Sequence, residues 1–118
     1  MVLLLMACAG GPLPEDVPMR DGVLLAADVY LPPGDGPFPT MLFRTPYSKQ
    51  GDQWYAAALN EAGVAVVAQD TRGRFLSEGV DGVFTTDGDG ELKDGLDTID
   101  WILDQPWSDG RIGMDGAS

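Results

Sequence analysis

Histidine is missing altogether from this 118-residue chain, and cysteine occurs once, at Cys8. The first absence means that no imidazole within the chain can act as a general base, so a serine nucleophile here would depend on a base from elsewhere. The second excludes an internal disulfide and a multi-cysteine zinc site, which leaves packing to hold the fold. Basic residues are also scarce: 7 lysines and arginines face 19 aspartates and glutamates, for a formal charge of -12. That balance repels phosphate backbones and offers no basic stripe, which argues against nucleic acid as a partner. The apolar opening, Val2 to Cys8, is far shorter than the ~20 residues of a membrane span, so no transmembrane segment is expected.

What is present is the make-up of one soluble globular domain, 44% hydrophobic and 22% charged. A doubly wound α/β enzyme with a large substrate pocket usually needs roughly twice this length, so that architecture would imply a further C-terminal part. Gly10-Gly11-Pro12 and Pro14 break regular structure, which divides the chain into a leader, residues 1–16, and a folded domain, residues 17–118. Within the leader, Leu5-Met6-Ala7-Cys8 loosely resembles a bacterial lipoprotein processing site, although no basic stretch precedes it. The remnant of an export signal and a disordered or miscalled start both remain open, as does the choice between cytoplasm and cell envelope.

Along the domain, Val23 to Tyr30 is rich in strand formers and follows the turn-like Arg20-Asp21-Gly22. Thr40 to Arg44 is a second short strand, closed by Thr45-Pro46. Trp54 to Ala62 favours a helix with Trp54, Ala57, Ala58 and Leu59 toward one face and Gly63 at its end. The unalternating run Val64 to Ala68 suggests a strand covered on both faces. Arg72 to Gly90 is glycine-rich and polar and reads as a long surface loop. Glu91 to Gln105 places Leu92, Leu96, Ile99 and Leu103 on one helical stripe, with Asp94, Asp97, Asp100 and Asp104 pointing elsewhere. Arg111 to Asp115 reads as a short buried strand leading into Gly116-Ala117-Ser118. Strands alternating with helices predict an α/β fold, mostly parallel, with an antiparallel edge hairpin.

Gly116-Ala117-Ser118 is half of a G-x-S-x-G nucleophile elbow, whose strained turn has room only for small neighbours. On its own the tripeptide reads more readily as a glycine-rich tail. Four separated stretches place it in context: Val17-Pro18-Met19-Arg20-Asp21-Gly22-Val23; Arg44-Thr45-Pro46-Tyr47; Gln69-Asp70-Thr71-Arg72-Gly73 with Ser77-Glu78-Gly79; and Trp107-Ser108-Asp109-Gly110-Arg111-Ile112-Gly113-Met114. With these in register the chain resembles the N-terminal part of the CocE/NonD acyl-hydrolases, α/β-hydrolases of the cocaine-esterase and X-Pro dipeptidyl-peptidase type.

The resemblance implies that Ser118 is the acyl-accepting nucleophile and that Tyr47 donates its phenol O–H to the oxyanion. A phenol fixed at a strand end suits that task on chemical grounds as well; without the resemblance a packed surface tyrosine is the plainer reading. It further implies that the triad aspartate and histidine, and the backbone N–H after the nucleophile, lie outside this chain. The substrate expected is a small ester or peptide, with no cofactor, and the oligomeric state stays open. The fragment by itself is expected to be inactive, and a non-catalytic acidic binding domain derived from a hydrolase is the rival reading.

Three further features have candidate roles. Asp70 and Arg72, at the end of a buried strand, read as scaffolding through ion pairs rather than as pocket lining. Asp87-Gly88-Asp89-Gly90-Glu91 has the look of a calcium loop, but an EF-hand register puts Leu96 where the bidentate glutamate belongs, so no metal site is expected and Asp89 reads as a helix N-cap. Trp101 and Trp107 read as core between helix and sheet.

Overall fold

The computed structural model of the chain describes residues 11–82, 84–88 and 90–116. Five strands form one sheet: β1 (Leu13–Pro18), β2 (Leu24–Tyr30), β3 (Phe38–Thr45), β4 (Ala65–Asp70) and β5 (Ser108–Asp115). Helix α1 (Gln53–Glu61) joins β3 to β4, and α2 (Asp94–Leu103) precedes β5. The sheet order is β1-β2-β4-β3-β5. The β1–β2 hairpin supplies the expected antiparallel edge and joins β4 antiparallel, while β3 runs parallel to both β4 and β5. The α/β architecture is that of the N-terminal part of an α/β-hydrolase.

The first strand begins at Leu13, ahead of the start of regular structure expected near Val17. Its two prolines and two acids hide it from any propensity argument, and they are tolerated because β1 is an edge that buries only Val17. The hairpin turn closes through Gly22, whose φ of 86° suits a residue without a side chain. β4 is buried along its whole length, as its unalternating sequence predicts.

Burial on both faces of β4 comes from two clusters. One gathers Val17, Leu25, Val29, Leu42, Val67 and Ile102, with Trp101 and Trp107 packed against it as an edge-on pair at 6.3 Å. The other gathers Tyr30, Phe43, Ala56, Val66 and Ala68. A helix thus covers each side, giving three layers around one sheet.

Each helix keeps only part of its expected stripe inward, Leu59 on α1 and Ile99 on α2, and the residues buried beside them are others. On α1 the buried residue is Ala56, with Leu59 beside it, and Trp54 lies outside at 66% exposure. Asn60 draws that face in, its amide donating to the carbonyls of Tyr30 (3.2 Å) and Val64 (2.9 Å). On α2 the buried residues are Asp94, Thr98 and Ile102, while Leu96 and Leu103 are each 47% exposed. Asp94 is buried because a guanidinium meets it there, a long-range partner that hydrophobic periodicity does not register. The helix starts at Asp94, with Lys93 at its N-cap position; Asp89, the expected cap, lies outside the described residues.

Candidate active site

The chain leaves β3 at Thr45 and turns through Pro46-Tyr47-Ser48 into a short 3-10 turn, Lys49–Asp52, that runs on into α1. Tyr47 N–H donates to Thr45 Oγ1 (3.0 Å), and Ser48 adopts a left-handed φ of 90°. This detour leaves the Tyr47 ring 63% exposed at the rim of a cleft of about 260 Å³. The cleft lies at the carboxyl ends of the parallel pair β3 and β5, where open α/β sheets place their ligands. Phe43, Thr45, Asp52, Tyr55 and Gly116 line it together with Tyr47. Tyr55 stands against Phe43 at 5.5 Å, giving the cleft an aromatic wall.

Tyr47 and Gly116, distant in sequence, therefore share one cavity. Asp115, opposite Phe43 in the register, accepts the N–H of Gly116 on its Oδ1 (2.8 Å). Ser118 and Ala117 lie outside the described residues.

Asp52 was not visible as a site residue in the sequence. Its Oδ2 is buried without a hydrogen-bond partner among the described residues. Burial pushes its carboxyl above the usual carboxylate range, and the nearby Asp70 charge pushes in the same direction. The Tyr30 hydroxyl is similarly buried without a partner, and its phenol is raised first by burial and then by Asp28 and Asp52. An unpartnered carboxyl oxygen therefore lies at this end of the cleft.

Asp70 and Arg72 do not bond to each other and do not line the cleft. Arg72 donates from Nε and Nη2 to Asp94 (2.9 and 2.8 Å) and from Nη1 to Asp21 (2.8 Å), tying the hairpin turn to the first turn of α2. Those hydrogen bonds raise the guanidinium further and hold the Asp21 carboxyl below its usual range. Asp70 accepts the N–H of Lys49 on Oδ1 (2.7 Å) and of Leu76 on Oδ2 (3.3 Å). Both residues are scaffolding. Asp87 of the calcium-like stretch is committed to Arg44, a side chain 6% exposed that also donates to Gln69. No helix among the described residues is long and apolar enough to cross a membrane.

Lys49 and Asp28 are likewise outside the expected site, though a signal for one of them is present in the sequence. Asp28, an acid within the apolar run of β2, is out of place unless paired, whereas nothing in the polar stretch around Lys49 marks it as buried.

The chain matches the X-Pro dipeptidyl-peptidase (S15 family) over residues 21–118. It is 48% identical over 110 residues to cocaine esterase of Rhodococcus sp. (strain MB1 Bresler), covering 86% of this chain and 18% of that protein. Among solved structures it superposes on an α-amino acid ester hydrolase with a TM-score of 0.73 at 33% identity, covering 88% of this chain and 20% of that one. A CocE/NonD family hydrolase from Staphylococcus aureus gives a TM-score of 0.72 at 26% identity, covering 86% and 22%. The chain thus spans about a fifth of the length of these relatives. With the family match running from the hairpin turn that holds Asp21 through the strand that ends at Asp115, the chain belongs to the X-Pro dipeptidyl-peptidase family of serine α/β-hydrolases.

Proposed function

We propose that this chain is the nucleophile-bearing part of a serine hydrolase that cleaves a small ester, or else an amide, through an acyl-enzyme on Ser118. The observation that carries this reading is the shared cleft of Tyr47 and Gly116 at the ends of β3 and β5. Ser118 Oγ attacks the substrate carbonyl, and the Tyr47 O–H donates to the oxygen that becomes negative in the tetrahedral intermediate. The proton of Ser118 passes to a histidine supplied by sequence outside this chain, since the 118 residues hold none. Collapse expels the alcohol or amine, and water then releases the acyl group by the same route. Cocaine esterase and the α-amino acid ester hydrolase, named for ester substrates, support ester over amide.

The lack of histidine favours one alternative for the chain taken alone, a non-catalytic acidic binding domain. A fluorophosphonate probe decides between the two. Protein expressed from the coding sequence extended downstream should label quickly, and Ser118→Ala should abolish labelling. Labelling that survives Ser118→Ala, or none in the parent, rules out the acyl-enzyme reading.

A further inference from the structure

Lysine is among the residues least often found inside a protein, yet Lys49 is only 5% exposed. Its Nζ donates to Asp28 Oδ2 at 2.8 Å, and both side chains are buried. Its backbone N–H donates to Asp70 Oδ1 at 2.7 Å. Asp28 opposes Ala68 across the β2–β4 ladder, so Asp28 and Asp70 project from the same face of the sheet. Two carboxylates on adjacent strands therefore grip one residue, by its ammonium and by its amide.

The grip is itself braced. Asp70 takes a second N–H from Leu76, and its carbonyl accepts the hydroxyl of Ser77 (2.6 Å), which in turn accepts Ala26 N–H (2.9 Å). A buried ion pair is a poor device for stability alone, because apolar side chains of similar volume do as well or better. It is a good device for fixing where a segment sits. The segment here is the turn that carries Tyr47, and between the two lies Ser48 in a conformation that L residues rarely adopt. With its ring mostly exposed, Tyr47 takes its direction from this backbone and not from packing.

We propose that Lys49 is a positioning residue: clamped between Asp28 and Asp70, it holds the turn that aims the Tyr47 hydroxyl into the cleft. This rests on Tyr47 being the oxyanion donor, and it adds a residue that touches neither substrate nor nucleophile. Removing Lys49 alone would strand Asp28, so the informative variant neutralises both partners, Lys49→Met with Asp28→Asn.

The test is a cycle on the enzyme expressed from the whole coding sequence, with p-nitrophenyl acetate as substrate and urea midpoints as the folding control. Tyr47→Phe should lower kcat about 100-fold. The paired variant should lower kcat roughly 10-fold, as expected for a small misplacement of a reacting group, with KM within about twofold. Added to Tyr47→Phe it should lower kcat by less than about twofold more, because the donor it positions is gone. Should the pair fail to fold, Lys49→Arg, which keeps a cation against Asp28 and strands neither partner, should show a smaller loss confined to kcat. An equal loss in both backgrounds, or none while Tyr47→Phe is impaired, overturns the clamp and leaves the Tyr47 role standing. A silent Tyr47→Phe overturns the Tyr47 role and the clamp's catalytic purpose with it.

Discussion

Two charged regions of this molecule sit on neighbouring strand ends and are built on opposite terms. Around Arg72, three nitrogens meet two carboxylates, Asp21 and Asp94, and the residues on which it converges come from the hairpin turn and from α2. Tyr47 lines an open cleft beside Asp52, whose Oδ2 is buried without a partner among the described residues, as are Arg44 Nη2 and Gln69 Nε2 away from the Arg72 cluster. Buried polar groups are nearly always satisfied in structures that exist only to be stable. The satisfied region holds the sheet to its helix. The other leaves a polar atom, Asp52 Oδ2, unpaired at the wall of the cleft.

The contrast predicts where a substitution unfolds the protein and where it only slows it. Arg72→Met leaves Asp94, which has no exposed surface, as an unpaired buried charge, and should cost about 3–5 kcal/mol, read as a fall in the urea midpoint. Tyr47→Phe should move the same midpoint by less than about 0.5 kcal/mol, because a largely exposed hydroxyl is lost and nothing is stranded. Comparable losses from the two would erase the distinction.

Glycines sharpen the contrast at a smaller scale. A Cβ at Gly73, next to Arg72, would lie 2.2 Å from the backbone nitrogen of Asp81, and its φ of 73° already disfavours a side chain. Gly73→Ala should therefore destabilise by about 1–3 kcal/mol. A Cβ at Gly51, in the 3-10 turn beneath the cleft, meets nothing within 4 Å. Gly51→Ala should be neutral to within about 0.5 kcal/mol. Thermal melts of the two single variants give the comparison directly.

Legibility in the sequence divides along the same line. The strands at Leu24–Tyr30, Phe38–Thr45 and Ala65–Asp70 declare themselves through apolar and β-branched runs, because their burial is a local property of composition. β1 does not, since an edge strand with Pro14 and Pro18 is held by its partner and not by propensity. The buried faces of the helices are hidden from periodicity where polar residues face inward. Thr98 is buried because its hydroxyl donates to Gln69 Oε1 (3.0 Å), and Asp94 because of Arg72. The place of Tyr47 at the end of a strand was legible in Arg44-Thr45-Pro46-Tyr47, and that is where it lines the cleft. Asp52 and Tyr55 were not legible, because only the 3-10 turn brings them beside Tyr47, and the left-handed Ser48 that starts it has no signature in composition.

The smallest expected effect concerns Asp52 and has a definite sign. Its folded carboxyl is raised by burial and by Asp70, so between the unfolded value near 3.8 and the higher folded one the native state binds more protons than the unfolded chain. Stability from this group therefore falls as pH rises through that window, the reverse of a salt-bridged carboxylate such as Asp97, which Arg20 holds below its usual range and whose contribution is lost on acidification. Asp52→Asn removes the ionisation without changing the shape. It should raise the melting temperature at pH 7 slightly, by the equivalent of less than about 1 kcal/mol, since the group is only partly shielded from water. The advantage over the parent should shrink as pH is lowered toward 3.8 and be absent below it, where both states carry the proton. Asp97→Asn should behave oppositely, losing stability at pH 7 and converging on the parent in acid. If Asp52→Asn instead destabilises at pH 7, as Asp97→Asn should, the carboxylate is paired after all, and the cleft is no less satisfied than the Arg72 region.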